Sequence, residues 1–186
     1  MALPNYAKLS TGTPIVLSDA TDYNPAAANS LGTRTDQIDL TSLAAGTARQ
    51  SDKFDFGTEW DIQYSLSAAI EWASSPVDGE SVDFYIAFSP DATAANANPG
   101  NVSGADSAYT GYSSDLDDSL AQLKYLGAMS AVANTSVQIQ TQIVTFVPTA
   151  RYATLVVVNS SDADNFASDA IEMSVSLTPI ISSIVD

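Results

Sequence analysis

Residues 60–72 alternate without interruption. Trp60, Ile62, Tyr64, Leu66, Ala68, Ile70 and Trp72 fall on one side, and Asp61, Gln63, Ser65, Ser67, Ala69 and Glu71 on the other. A period of two sustained over this length describes a strand with one buried face and one wet face. A turn-forming segment with Pro76 and Asp78-Gly79 follows. A second alternating run then sets Val82, Phe84, Ile86 and Phe88 opposite Asp83, Tyr85, Ala87 and Ser89. Two such runs about a turn predict an antiparallel hairpin. A sheet with one apolar face has to bury it, so a second sheet must lie across from this one.

The rest of the chain supplies the strands for that second sheet. Val137, Ile139, Thr141, Ile143, Thr145 and Val147 alternate up to Pro148. Tyr152 to Val158 is β-branched and apolar on both faces, which suits a central strand. Ile171, Met173, Val175 and Leu177 alternate up to Pro179, and the tail 180–185 is apolar enough to pair with something. Weaker patterns run through Ile38, Leu40 and Leu43 and through Phe54 and Phe56. Asp115, Asp117 and Asp118 favour a helix N-terminus, with Leu116, Leu120 and Leu123 at spacings of four and three. This predicts a helical turn over 116–121 and a strand over 122–131.

The expected fold is all-β. It is a single antiparallel β-sandwich over 34–186, jelly-roll-like, with eight or nine strands and at most one short helix. Residues 1–33, punctuated by Pro4, Gly12, Pro14, Pro25 and Gly32, read as an extended N-terminal arm. It carries one short apolar run, Ile15-Val16-Leu17, and at most one strand. Residues 90–114 are small, polar and turn-rich, and a loop of that length inside a compact domain is expected to be functional or interface-forming.

Composition argues against most chemistry. The chain of 186 residues has no histidine and no cysteine, which removes the commonest general base, the commonest metal ligand and any thiolate nucleophile. The only lysines, Lys8, Lys53 and Lys124, sit in no catalytic motif, and no glycine-rich phosphate loop is present. Six Lys and Arg against 22 Asp and Glu give a formal charge of −16. Such a chain repels nucleic acid and anionic membranes. No stretch reaches the roughly 20 apolar residues that span a bilayer, and the first residues carry no apolar core of a secretory signal, so a soluble protein made in a cytoplasm is expected.

Asp162 and Asp164 are weak metal candidates, and Asp115, Asp117 and Asp118 form a second acidic cluster. Neither has the glycine and the bidentate glutamate of a calcium loop, so solvated acidic turns are the expectation and no metal or other cofactor is assigned. Trp60 and Trp72 share the inner phase and read as core. Tyr85, Tyr109 and Tyr112 read as surface contacts, and the scarce cations Arg34, Arg49 and Arg151 as partners in ion pairs at a subunit interface.

Three stretches carry a resemblance. They are Thr33-Arg34-Thr35-Asp36-Gln37-Ile38-Asp39-Leu40 with Ala48-Arg49-Gln50-Ser51; Phe84-Tyr85-Ile86-Ala87-Phe88-Ser89-Pro90 with the loop from Asn98-Pro99-Gly100 to Tyr109-Thr110-Gly111; and Phe146-Val147-Pro148-Thr149-Ala150-Arg151-Tyr152. From about residue 33 to 178 the chain resembles virion structural proteins of tailed bacteriophages, of the small β-sandwich type that decorates or cements the head. The resemblance implies a non-enzymatic protein on the outer surface of the capsid. Its partners would be the major capsid protein and two further copies in a homo-trimer, and it would need no cofactor. On that reading Ile15, Val16, Leu17, Arg34, Tyr109, Tyr112 and Arg151 are interface candidates. The alternative is a head- or tail-fibre module that recognises host glycan, which the pair Tyr109 and Tyr112 would favour.

Overall fold

A computed structural model describes residues 6–58 and 63–185. It contains twelve strands: β1 (Tyr6–Thr11), β2 (Ile15–Ser18), β3 (Asp36–Gln37), β4 (Ala48–Gln50), β5 (Phe54–Asp55), β6 (Gln63–Ile70), β7 (Ser81–Ser89), β8 (Ser107–Tyr109), β9 (Lys124–Ser130), β10 (Gln138–Phe146), β11 (Tyr152–Asn159) and β12 (Ser174–Val185). One short helix, α1 (Leu116–Leu120), precedes β9, capped by the Asp115 carboxylate, which accepts from the Asp118 N–H at 3.2 Å. This is the helix-then-strand order expected from Leu116, Leu120 and Leu123.

The strands form two sheets. The first runs β10-β6-β12-β2-β3, with β1 added to β12; the second runs β8-β4-β11-β7-β9, with β5 added to β11. The pairings nest. β7 pairs with β9, β6 with β10, β4 with β11 and β2 with β12, all antiparallel. The chain is therefore one long antiparallel ribbon folded back about the β7–β9 connection. Rolling that ribbon up brings β12 beside β6 and β11 beside β7. That is the jelly-roll arrangement, and it makes the fold an all-β sandwich of antiparallel strands.

The predicted hairpin is corrected. β6 and β7 lie in different sheets and do not pair. Residues 71–80 are too long for a tight hairpin turn and instead carry the chain from one sheet to the other. The crossing is pinned by Trp72, which meets the Phe166 ring edge-on at 5.1 Å, and by the Ala73 N–H on the Asn165 carbonyl. Trp72 is buried, as its phase required; Trp60 lies outside the described residues.

The extended arm is corrected as well. Ile15, Val16 and Leu17 form β2, held between β12 and β3, and Val16 and Leu17 are fully buried. Three consecutive apolar residues marked a core strand, not an anchor for a neighbour. The apolar tail has its partner inside the chain: β1 pairs with residues 180–185 of β12.

Both faces of the second sheet are covered. Inward, Val82, Phe84, Ile86, Leu155 and Val157 meet Leu17, Leu66, Ile70, Val175 and Leu177 of the first sheet in the main core. Outward, Ala48, Ala87, Val156 and Val158 pack under Val102, Tyr109, Leu120 and Leu123 in a second, smaller core. This explains why Val156, Val157 and Val158 are apolar in succession. β11 is central in its sheet and buried on both sides.

Two outcomes follow. In this cysteine-free chain, the pair Ser65→Cys and Thr145→Cys, directly opposed on β6 and β10, should oxidise to a disulfide, because opposed antiparallel residues lie within bridging distance; a shift on non-reducing gels reads it. Leu155→Ala should lower unfolding stability by about 2–5 kcal/mol in urea melts.

Candidate functional site

The segment 90–114, expected to be a functional or interface-forming loop, is folded back onto the second sheet and contributes β8 to its edge. Residues 90–106 and 110–123 lie against the outer face of the second sheet, on either side of its edge strand β8, and polar side chains pin them there. Lys53 is the main pin. Its ammonium donates to the Ser89 hydroxyl at 3.0 Å and to the carbonyls of Asp91, Thr93 and Asn96 at 3.0, 2.8 and 2.9 Å. Three N–H donors thus serve four acceptors, and the cation sits in a carbonyl cage of the kind a metal ion would occupy. Burial pushes the Lys53 ammonium down from its ordinary value, against the pull of the Asp91 charge.

The resemblance motif supplies further pins. Asn98 Nδ2 donates to the carbonyls of Ala94 and Val102, Gln50 accepts from the Ser103 N–H, and the Tyr109 hydroxyl donates to the Gly100 carbonyl at 2.5 Å. Tyr109 is therefore 2% exposed and is not a surface contact. Its ring belongs to the second core. Gly104 and Gly111 have φ near +70°, and a Cβ at Gly104 would come within 2.2 Å of the Ala94 carbonyl oxygen. Only glycine allows that turn and that approach.

Beside this layer lies the polar cluster that closes one side of the sandwich. Asp106, immediately before β8, receives Arg49 in a bidentate pair, Nε at 2.6 Å and Nη2 at 2.7 Å. The same carboxylate accepts from the Asp39 N–H and from Gln37 Nε2, both at 3.2 Å. Gln37 Nε2 also reaches Asp19. β3 and β8 are the edges of the two sheets here, so Asp106 ties one edge to the other. Burial acts to raise the Asp19 carboxyl, but the N–H bonds from Asp22 and Thr21 prevail and hold it below its ordinary value. Burial pushes the nearby Asp36 carboxyl up, with the charges of Asp52 and Asp55 adding to it.

A cleft of about 440 Å³ opens between these elements, lined by Thr41, Ser42, Thr47, Arg49, Thr110 and Ser114 with Leu43, Ala44 and Leu116 among its apolar walls. The size is that of a small-ligand site. Ser42 and Ser114 hold positive φ, 54° and 62°, and strained backbone of this kind gathers at binding sites.

The other predicted site residues are dispersed. Arg151 pairs bidentately with Asp55 at 2.7 and 2.8 Å and lies over the Tyr152 ring, so its ion pair is internal to the chain. Arg34 is exposed near β3. Tyr112 is 49% exposed between β8 and α1. Asp164 accepts from the Ser74 hydroxyl, and the Asp162 N–H donates to Glu80. Among the described residues no three acidic side chains converge as metal ligands. The sequence reading missed Lys53, Gln50 and Asn98. Only the glycines at 100, 104 and 111 hinted that the polar loop was folded. The chain matches no protein-family model and no curated protein.

Gly104→Ala should destabilise the protein by about 1–3 kcal/mol, from the left-handed φ and the clash together, measured by urea melts. Asp106→Ala should cost a similar amount, about 1–3 kcal/mol, because the Arg49 guanidinium loses its acceptors. Asp36→Asn should raise the melting temperature at pH 7, because the fold favours the neutral form of a carboxyl whose value is raised. That advantage exists only while Asp36 is ionised, so it should vanish as the pH falls below the ordinary aspartate value of about 4.

Proposed function

We propose that this protein is a non-enzymatic capsid decoration protein. It binds the outer surface of a phage head and cements neighbouring capsid subunits by adding buried interface. The observation that carries this reading is how the distinctive polar motif is used. Asn98, Gly100, Tyr109 and Gly111 build a rigid outer layer on a jelly roll and supply no reacting group. Arg49, Lys53 and Arg151 are likewise spent on carboxylates and carbonyls of the same chain. A rigid scaffold with an acidic surface suits a particle exterior, where a charge of −16 keeps the protein away from packaged DNA. Contacts of standard size, about 1,600 Å² each, suffice for stable attachment.

A specific observation favours a second reading. The 440 Å³ cleft beside Arg49, with Thr41, Ser42, Thr47, Thr110 and Ser114 on its walls, offers hydroxyls and one cation to a polar ligand. Exposed Tyr112 follows directly on the Thr110 wall. A fibre module that binds host glycan would use such a cleft.

The test mixes purified protein with phage heads that lack their decoration. Saturable binding at fixed sites on the head, seen by particle imaging, with greater resistance of the heads to heat, is the result expected. No binding to heads, together with glycan binding that Arg49→Ala abolishes, would overturn the cement reading in favour of the cleft.

A further inference from the structure

The cover on the second sheet stops short of the sheet's other edge. Between α1 and β9 a concavity of about 390 Å³ stays open, lined by Tyr85, Tyr125 and Asp117 with Leu120, Ala121 and Leu123. The two tyrosine rings stand 5.1 Å apart and are inclined at 58°, so they form a corner. A bulge puts them there. The β7–β9 ladder shifts register between Phe84 and Tyr85: Gly127 pairs with Phe84, Tyr125 pairs with Tyr85, and Leu126 between them enters the main core. Bulges re-aim side chains in this way and are frequent beside functional sites. The Tyr125 hydroxyl donates to Asp83 at 3.1 Å, and the other oxygen of that carboxylate accepts from the Ser160 hydroxyl at 2.5 Å. The Tyr125 ring is thus fixed by its tip while the residue stays 51% exposed.

The corner is negative. Asp117 lines it, and Asp83 lies at the Tyr125 hydroxyl. Burial pushes both phenols up from their ordinary values, and the charges of Asp83 and Asp117 add to this at Tyr85. Among the described residues no lysine or arginine lines the concavity. Lys124, next to Tyr125 in the chain, turns the other way: its ammonium lies 5.7 and 5.9 Å from the ring centres of Phe88 and Phe146 and donates to the Val147 carbonyl at 3.3 Å. Arg49, Lys53 and Arg151 are engaged elsewhere in the fold. Two aromatic faces, a carboxylate and an apolar wall therefore meet without a cation of the chain's own.

We infer that this concavity, formed by Tyr85, Tyr125 and Asp117, is a binding site for an arginine side chain presented by a partner protein. A guanidinium answers each wall in turn. It stacks on aromatic faces in cation–π contact, pairs through its planar fork with a carboxylate, and is more weakly hydrated than an ammonium. Its methylene stem has Ala121 and Leu123 to lie against. A lysine ammonium is a compact, strongly hydrated point charge and gains less from an open aromatic corner. The formal charge of −16 draws basic surfaces toward the chain, and an aromatic corner gives one such side chain a fixed place to lodge. The site shares no residue with the cleft beside Arg49. It is also independent of the cement reading, since any partner with an exposed arginine could supply the ligand.

The experiment titrates the full chain with N-acetyl-arginine amide and follows the backbone amide resonances. Saturable shifts confined to β7, β9 and α1 are expected, with a dissociation constant in the millimolar range of a single exposed contact. The lysine amide should bind about threefold more weakly or worse, and the uncharged citrulline amide not at all. Tyr125→Leu and Asp117→Asn should each weaken arginine binding about three- to fivefold, the size of one exposed cation–π or ion-pair contact, with little change in melting temperature. Tyr112→Leu, on an exposed tyrosine that does not line the concavity, should leave binding unchanged. No saturable shifts at these elements, lysine binding as tight as arginine, or arginine binding that survives both Tyr125→Leu and Asp117→Asn would overturn the inference. The isolated chain is used throughout, so this result and a failure to bind heads are separate.

Discussion

The second sheet is buried on both faces, and most of the molecule's less obvious features answer that requirement. Ala87, Val156 and Val158 point away from the main core yet are at most 7% exposed. A strand such as β11, apolar in every direction, needs two covers. The first sheet supplies one. The other is formed by residues 90–106 and 110–123 about the edge strand β8, a stretch too small and polar to stay down by hydrophobic contact alone. Val102, Tyr109, Leu120 and Leu123 provide the apolar contacts, and a set of polar pins fixes the rest. Lys53 holds three carbonyls of the layer, Gln50 and Asn98 bind its backbone, and glycines turn it where a Cβ would collide. The cleft beside Arg49 exists because this layer meets the 39–48 turn at its margin.

Much of the fold was legible because period-two alternation is a local signal. The strands of β6, β7, β10 and β12 came directly from it, and the central position of β11 came from its absence, a run apolar on both faces. Which strands pair did not, because pairing in a jelly roll is set by nesting over long separations. Alternation around Asp78-Gly79 looks the same whether the chain turns back within a sheet or crosses to the other one. The length of residues 71–80 was the physical clue, and Trp72 against Phe166 the contact that decides it. Ile15-Val16-Leu17 was misread for a related reason. Flanking prolines and glycines suggested an arm, yet a run buried on both faces needs no alternation. At the candidate site the polar pins were invisible because each acts across tens of residues, as Lys53 does on Thr93 and Asn96.

Function follows from how the polar groups are spent and how the charge is distributed. Scarce cations in an acidic chain might be expected to mark a partner's surface. Three of them instead neutralise or bridge groups of their own fold. What remains for partners is an acidic exterior.

The central claim is that residues 90–106 and 110–123 are a fixed structural cover on the second sheet about its edge strand β8. Hydrogen exchange of the native protein, followed by mass spectrometry, tests it most directly. The account predicts that the amides of Lys53 and Val102, which donate to Gly104 and Pro99, exchange slowly with those of β11, and that replacing Lys53 by Met speeds exchange across 91–104 without touching β6. Exchange of the whole 90–123 segment within seconds in the unaltered protein, while the sheets stay protected, would contradict it.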